Sequence, residues 1–535
     1  MNGSAYDVLR SLPCAVLEGD PSVRIEGVST DTRKIKAGDL YVALCGERYD
    51  GHDFVDQALA CGASVLMLQR SKRALVRERF LNPSASRLNR CEATILWVDD
   101  TLTGLGELAR WHRSRFQLPL IAVTGSNGKT TVKNILATLL GSVYGTEAVL
   151  ATEGNLNNAI GVPLTLFRLR KHHRVAVLEL GTNHPGEIAS LARIAMPNVA
   201  LVNNAQREHQ AYFDGAMGSA LENASVFAWL SGLGTHEHLP SGVWVESPEQ
   251  RALGQQLYRQ GVAIFPYEDP CSQAFDKFVK MRGLDQVLCF SSDASKVHDG
   301  LGAGGLVLRA VKDQGSLDIS KQSFWVSTRA DRAARFEISG LGSQAVHNAL
   351  AAVACAWSLG LSFESLALGL SRYVNTPGRM QPMVLPNGTL LLNDTYNANP
   401  DSVLAAIDAL RLCPGPRWLI LGEMGEVGEQ GPKFHAEVGV YAATQGVQHL
   451  WTLGEGSESA VHAFVEHAVD EQQAEHFQTK TQLEQAFLRV MHQVSSDQSP
   501  LVGTVLIKGS RFMQIESLLQ VLDSSVLESQ RVIQH

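Results

Sequence analysis

The sequence predicts an α/β protein of three domains organised around a mainly parallel sheet. Three observations carry that expectation. Apolar strand-like runs alternate with amphipathic helical runs from about residue 118 to 375, the pattern of parallel strands joined by crossover helices. One such run, Leu120 to Thr124, leads straight into Gly125-Ser126-Asn127-Gly128-Lys129-Thr130-Thr131, a small-residue loop that opens a helix. A second strand–helix series starts after the turn cluster Asn375-Thr376-Pro377-Gly378, and 535 residues leave room for three separate cores.

Taken in order, residues 1–117 mix short strands with helices and close on a helical run from Thr103 to Phe116, so a small α/β domain is expected there. Pro119 leads into the loop strand, and beyond the loop Val132, Ile135, Leu136 and Leu139 share one helical face. Arg174 to Leu180 reads as a buried strand, Gly186 to Ile194 as a helix and Val199 to Asn203 as a short strand. His184 to Glu187 reads as a helix start rather than a catalytic cluster. The stretch 268–335 is rich in Ser, Gly and Asp, with short alternating runs such as Gly305 to Leu308, and is expected as an antiparallel extension or insertion within a central domain of 118–375. In 376–535, Leu390 to Leu392, Trp418 to Leu421, Leu450 to Leu453 and Val505 to Ile507 are strand-like. Helix Ser402 to Arg411 there aligns Val403, Ile407 and Leu410. That is a Rossmann-like unit without the G-x-G-x-x-G fingerprint.

A hydrophobic content of 45% with 19% charged residues describes a globular chain rather than a disordered one. The net charge of −8 is spread out and no long basic block occurs, so nucleic acid is not an expected partner; a nucleotide would need a local site. The eight cysteines (Cys14, Cys45, Cys61, Cys91, Cys271, Cys289, Cys355, Cys413) form no C-x-x-C pair, which suits a reducing compartment and argues against a zinc site. With neither a basic-then-apolar N-terminus nor a run of 18 apolar residues, membrane insertion is not expected and a cytoplasmic protein is.

The strand–loop–helix segment builds an anion site. Loop amides and the positive helix end point at phosphate, Lys129 adds a charge, and Thr130 offers a hydroxyl to Mg²⁺. The pattern is the short G-x-x-G-K-T-T form, because Val123 stands five places before Gly128. Glu179 leaves the carboxyl end of a neighbouring strand, placed to share Mg²⁺ with nucleotide phosphates; the plainer alternative is a solvent-facing strand end. Asn203 to Gln210 follows another strand, and His209 is either a second metal ligand or a surface-loop histidine. Asn155, Asn157 and Asn158 are candidates to bind a carboxylate or sugar hydroxyl, or form an Asx-rich turn. Asn348, where Val346 to Ala349 opens an alanine-rich helix, either reads a purine edge or caps that helix. Three polar loops, Asn393 to Pro400, Gly422 to Gly428 and Lys508 to Arg511, follow three later strands and together suggest one wall of a cleft.

Together these motifs resemble the Mur ligase family, the ATP-dependent amide-forming enzymes of peptidoglycan precursor synthesis, over nearly the whole chain. The resemblance is carried by Thr124 to Thr131, Glu179-Leu180-Gly181, His209, His347-Asn348, Pro377-Gly378-Arg379 and the Asp394 loop. Asn393 to Pro400, and Asp31-Thr32-Arg33 followed by Gly38 to Leu44 and Asp50 to Phe54, are similar to the branch that joins D-alanyl-D-alanine to UDP-N-acetylmuramoyl-tripeptide. The Asp-Asn-Pro-Arg signature of members adding a diamino acid is missing.

The resemblance implies an ATP- and Mg²⁺-dependent ligase, expected as a monomer, working through an acyl phosphate. Its N-terminal domain would hold the UDP-sugar through Ser29, Thr30, Asp31, Thr32 and Arg33, its central domain ATP, and its C-terminal domain the dipeptide, with Asn397 on the substrate side. Residues Gly125 to Thr131 would clamp phosphates, Asn348, Arg379 and Asp394 would contact the nucleotide, and Lys129, Glu179 and His209 would be catalytic. Thr130 and Glu179 would hold one Mg²⁺ and His209 a second. Two positions depart from the family pattern. A lysine modified to a carbamate is usual where this chain has Asn223, so a neutral oxygen, water or Glu222 would have to serve; Ala351 stands where an asparagine is usual. Two rivals share parts of the pattern. One is a folylpolyglutamate synthase-like ligase, against which the Asp31 to Phe54 segment argues; the other is a nucleotide-dependent switch without ligase turnover.

Overall fold

A computed structural model describes residues 3–12, 14–80, 94–234, 248–293, 295, 305–312, 321–328, 333–385, 387–469, 471–496 and 503–522. Among these, three larger sheets organise the chain. The first contains Val16–Glu18 (β1), Gly27–Ser29 (β2), Asp39–Val42 (β3), Val65–Gln69 (β4) and Thr94–Val98 (β5) in the order β1-β5-β4-β3-β2, parallel except at β1.

The central sheet contains Leu120–Thr124 (β6), Val149–Ala151 (β7), Val175–Glu179 (β8), Val199–Val202 (β9), Val262–Pro266 (β10), Val287–Ser291 (β11), Gly305–Lys312 (β12), Lys321–Ser327 (β13) and Ala333–Ser339 (β14). Its order is β14-β13-β12-β11-β10-β9-β6-β8-β7. Every neighbouring pair from β7 to β12 is parallel, and only β13 and β14 run antiparallel to their neighbours.

The third sheet contains Gln381–Val384 (β15), Leu390–Asp394 (β16), Arg417–Gly422 (β17), His449–Leu453 (β18), Gln473–Phe477 (β19) and Thr504–Lys508 (β20). Its order is β15-β16-β20-β17-β18-β19, with β15 alone antiparallel.

The parallel strands β6 to β11 of the central sheet are nearly all apolar because both faces are covered there. Along β6, Leu120 and Ala122 belong to the core beneath helices Thr101–Ser114 and Glu187–Ala195. Ile121 and Val123 point the other way, into a core shared with helices Lys129–Tyr144 and Gly342–Ser358. The same alternation divides the third sheet: Leu392 and Leu421 face one core, Leu391 and Ile420 the other.

Two expectations need correction. The stretch 268–335 is not simply an antiparallel appendage: helix Ser272–Arg282 and strand β11 continue the parallel array, and β12 joins it before the chain reverses. Leu288, Cys289 and Phe290 are buried, which suits a strand inside a covered sheet better than an edge hairpin. Residues 294, 296–304, 313–320 and 329–332 of that stretch lie outside the described set. The helix carrying His347 and Asn348 begins earlier, at Gly342, so Asn348 sits inside it and cannot cap it. No helix among the described residues is long and apolar enough to cross a membrane.

The first and central sheets are joined by a buried cation. Arg113, near the end of helix Thr101–Ser114, is 4% exposed and donates to the carbonyls of Phe116, Leu118 and Ala195 and to Asn198 Oδ1. Burial pushes its guanidinium pKa down to about 10, still charged at neutral pH. Arg113→Ala is therefore expected to leave several acceptors unpaired and to cost on the order of 3 kcal/mol. A thermal midpoint indistinguishable from wild type would contradict this.

Candidate active site

Register brings the candidate residues together. β8 and β9 flank β6, pairing Glu179 with Val123 and Val202 with Thr124, so the ends of all three strands open at one edge. This is where a parallel sheet reverses its strand order and where ligands bind such sheets. Facing it are the ends of β16 and β20. Between them lies a cleft of about 630 Å³, lined by Ser126 to Thr131, Asn155, Asn157, Asn158, Glu179, His209, Asn348, Arg379, Asp394 and Asn397.

The loop needs glycine at Gly128. Its φ of 82° is left-handed, and a Cβ there would stand 2.3 Å from Asn348 Oδ1 and 2.6 Å from Asn203 Nδ2. The loop amides are not all turned to a ligand, as the sequence suggested. Gly125 N–H donates to Asn223 Oδ1 (2.8 Å), Ser126 N–H to the Asn204 carbonyl (3.1 Å) and Asn127 N–H to Asn204 Oδ1 (2.8 Å). The donors left for an anion are those of Gly128 at the N-cap and of Lys129, Thr130 and Thr131, which precede any intrahelical acceptor. Lys129 Nζ is folded back onto the carbonyls of Gly125 (2.5 Å) and Ser126 (3.2 Å), and lies 3.3 Å from Glu208 Oε2.

Glu179 is buried at the end of β8. Its Oε1 accepts from Asn157 Nδ2 at 2.9 Å, while Oε2 is buried without a partner. A carboxylate oxygen left bare in the interior is costly unless a cation or donor meets it, so it fits a metal ligand. Asn158 makes the Asx turn, accepting from the amides of Ile160 and Gly161, whereas Asn157 orients Glu179. At His184 to Glu187 the helix start is observed: Glu187 accepts from the amides of Asn183 and His184.

The opposite wall is anchored by a buried ion pair. Asp394 Oδ2 accepts from Lys508 Nζ at 2.6 Å, and Oδ1 accepts from Met380 N–H at 3.0 Å. Both carboxylate oxygens are thus committed to holding the turn that carries Arg379. The Arg379 guanidinium lies 3.9 Å from the Tyr396 ring centroid and donates to Thr130 Oγ1 at 3.2 Å, delivering its charge to the start of the loop helix. Gly422 to Gly428 does not line the cleft. It meets the central sheet through Glu426, whose backbone carbonyl accepts from Ala211 N–H and whose Oε2 lies 2.6 Å from His209 Nδ1. That imidazole holds the Glu426 carboxyl below its ordinary range.

Two results were hidden in sequence. Arg207 ties the central sheet to the third: it donates to both oxygens of Asp401 and both of Glu437, over the ring of Phe434. Glu222, one substitute considered for the missing lysine, is unavailable, since its two oxygens accept from the amides of Gly186 and Ile188 at the start of a helix. Asn223 points its oxygen at Thr124 and Gly125, as a brace for the loop. Only a map of which groups share space reveals either arrangement.

Ser29 to Arg33 lies away from the cleft, at the end of β2. There Asp31 accepts from Arg33 N–H and pairs with its guanidinium, which brings the Asp31 carboxyl down to about 2. Cys45, Asp50 and His52 converge nearby. His52 Nε2 accepts from Gln69 N–H, so Nδ1 carries the proton toward Asp50 and the ring has no lone pair free. The described cysteines are all unpaired.

Family models match in three places: "Mur ligase family, catalytic domain" at residues 24–113, "Mur ligase middle domain" at 123–232 and "Mur ligase, glutamate ligase domain" at 378–511. The chain is 32% identical over 513 residues to the UDP-N-acetylmuramoyl-tripeptide–D-alanyl-D-alanine ligase of Haemophilus influenzae, covering 96% of each protein. It is 32% identical over 510 residues to the Escherichia coli protein of the same description, covering 94% of this chain and 95% of that one. Among solved structures it resembles MurF from Acinetobacter baumannii, with a TM-score of 0.76, 29% identity and 98% and 99% of the two chains covered. A Thermotoga maritima MurF ligase in complex with ADP shares the fold at a TM-score of 0.71 and 23% identity, covering 94% and 98%.

Lys508→Met is expected to strand the Asp394 carboxylate and cost about 3–5 kcal/mol of stability. The check is the denaturation midpoint of the variant, which on this account falls well below that of the wild type.

Proposed function

Because the chain belongs to the Mur ligase family, we propose that it joins D-alanyl-D-alanine to UDP-N-acetylmuramoyl-tripeptide at the cost of ATP. The products are UDP-N-acetylmuramoyl-pentapeptide, ADP and phosphate. The observation that carries this reading is one cleft in which the loop helix start, a buried carboxylate with a bare oxygen and the Arg379 guanidinium converge. Residues 1–117 would take the UDP-sugar end through Ser29 to Arg33, residues 118–375 ATP, and residues 376–535 the dipeptide with Asn397. Asn155, Asn157 and Asn158 would stand on the substrate side, and Asn348 toward the nucleotide. The expected setting is the cytoplasm, with the chain acting as a monomer.

A carboxylate is a poor acyl donor because its oxide is a very poor leaving group. Transfer of the γ-phosphoryl of ATP to the peptide carboxylate gives an acyl phosphate. The dipeptide amine attacks its carbonyl, and phosphate leaves from the tetrahedral intermediate. The protein's share is positioning and charge. Lys129 would leave the carbonyls of Gly125 and Ser126 for the β- and γ-phosphates, with the first-turn amides beneath them. Arg379, fixed on Tyr396, would face the transferring group. Thr130 and Glu179 would hold one Mg²⁺ and His209 a second; the bare Glu179 Oε2 suits the first. When bound, such ions neutralise phosphoryl charge. The contacts of Arg207 and His209 with the third sheet or its flanking loops, and of Arg379 with Thr130, would keep the cleft closed against water, which would otherwise consume the acyl phosphate.

Phosphate release should require both the UDP-linked tripeptide and D-alanyl-D-alanine; release indifferent to both would favour a nucleotide switch instead. Lys129→Ala should lower turnover by about two to three orders of magnitude with the fold intact by circular dichroism. Near-normal turnover in that variant would count against the mechanism.

A further inference from the structure

We propose that Glu208 is a metal ligand, forming with His209 a carboxylate–imidazole pair for the second divalent cation of the cleft. The proposal rests on the reading of that cleft as the ATP and Mg²⁺ site. Glu208 is buried, only 4% exposed, yet its Oε2 meets two groups that line the cleft: Lys129 Nζ at 3.3 Å and His209 Nε2 at 3.9 Å.

The carboxylate is held in place from behind. Its Oε1 accepts from Asn223 Nδ2 at 3.1 Å. That amide is itself fully engaged, donating also to the Ser219 carbonyl (2.9 Å) and accepting from Thr124 Oγ1 (2.5 Å) and Gly125 N–H (2.8 Å). The orientation of Asn223 is therefore determined, and with it the oxygen that Glu208 presents to Lys129 and His209. Asn223 is a positioning residue in this arrangement.

The imidazole is turned to match. His209 Nδ1 stands 2.6 Å from Glu426 Oε2, which leaves Nε2 directed at Glu208. His209 takes a left-handed backbone, φ 47°, and so does its partner Glu426, φ 58°. Non-glycine residues rarely adopt this conformation, and here it is held where the two side chains meet. Ligand atoms about 2.1 Å from one octahedral ion stand about 3.0 Å apart when adjacent and about 4.2 Å apart when opposite. The 3.9 Å between Glu208 Oε2 and His209 Nε2 is about 0.3 Å from the opposite arrangement and about 0.9 Å from the adjacent one, shifts that side-chain rotation supplies with no direct hydrogen bond to be broken.

Charge makes a cation necessary. In this structure Lys129 neutralises Glu208. Once the ammonium turns to the phosphates, Glu208 would be a buried carboxylate left with the neutral Asn223 amide and the His209 ring, a costly state unless a cation meets it. A hard divalent ion on Glu208 and His209 repairs it, and Lys129 holds the place of that ion until the nucleotide arrives. Other nearby acids are engaged: Glu222 by the amides of Gly186 and Ile188, Asp269 by those of Ala205 and Cys271, and one oxygen of Glu187 by those of Asn183 and His184, while the bare Glu179 Oε2 is the ligand given to the first ion.

The test is titration of the full chain with Mn²⁺, read by electron paramagnetic resonance, in the presence of a non-hydrolysable ATP analogue and UDP-N-acetylmuramoyl-tripeptide. The wild type should bind two ions. Glu208→Gln should keep one and bind the other roughly tenfold or more weakly, and His209→Ala should lose the same ion. Two ions at wild-type affinity in Glu208→Gln, with His209→Ala impaired, would overturn the role of Glu208 alone. A single ion in the wild type, unaffected by His209→Ala, would overturn the two-cation reading beneath it. Crystals of the unaltered protein soaked in Mn²⁺ and the analogue give a check independent of any variant's folding. Anomalous density about 2.1 Å from both Glu208 Oε2 and His209 Nε2 supports the proposal, and density on His209 with Glu208 still paired to Lys129 refutes it.

Discussion

The arrangement depends on the close approach of the Gly128 backbone to two asparagine side chains. Asn203 Nδ2 donates to the Asn127 carbonyl and to Asn348 Oδ1, filling the space where any larger residue at 128 would place its Cβ. Through that contact the loop, the segment after β9 and helix Gly342–Ser358 share one position. His347 continues the bond network with its Nε2 at the Asn203 carbonyl, and burial keeps its pKa low, so a neutral ring sits in the interior. The anion site is thus assembled from elements distant in sequence that have little freedom to move independently.

A second layer of contacts sets the opposite wall against the first. Asn127 and Asn399 exchange amide hydrogen bonds, Asn134 donates to Thr376, and Arg207 grips Asp401 and Glu437. These are polar, partly exposed contacts, unlike the apolar cores beneath each sheet. Such an interface can open and close at modest cost, whereas the sheets themselves cannot deform. The buried Lys508–Asp394 pair differs in kind, because it lies within the third sheet and fixes the turn carrying Arg379 whether or not the cleft is closed.

Much of this was legible in the chain because it is written locally. Strand β6, its loop and the following helix need only adjacent residues to declare themselves, and the period-two alternation of Leu120, Ile121, Ala122 and Val123 between two cores follows from their order. Where local pattern misled, a distant neighbour was the cause. Local pattern offers Asn348 as a purine contact or a helix cap, but the helix starts at Gly342; it offers the loop amides as free, but Asn204 and Asn223 accept from them. Nothing local distinguishes Glu208 in the polar run Arg207-Glu208-His209, whose members part company completely: Arg207 to the third sheet, Glu208 into the interior and His209 into the cleft.

By itself, then, the sequence determined the α/β class, the strand–loop–helix anion site and the family, since each is encoded by short-range periodicity and by residue types whose chemistry does not depend on remote partners. Only the tertiary structure decided which oxygens and amides remain free. A hydrogen bond is exclusive, and whether Glu179 Oε2 is bare or Asp394 is spent depends on groups brought from elsewhere in the chain.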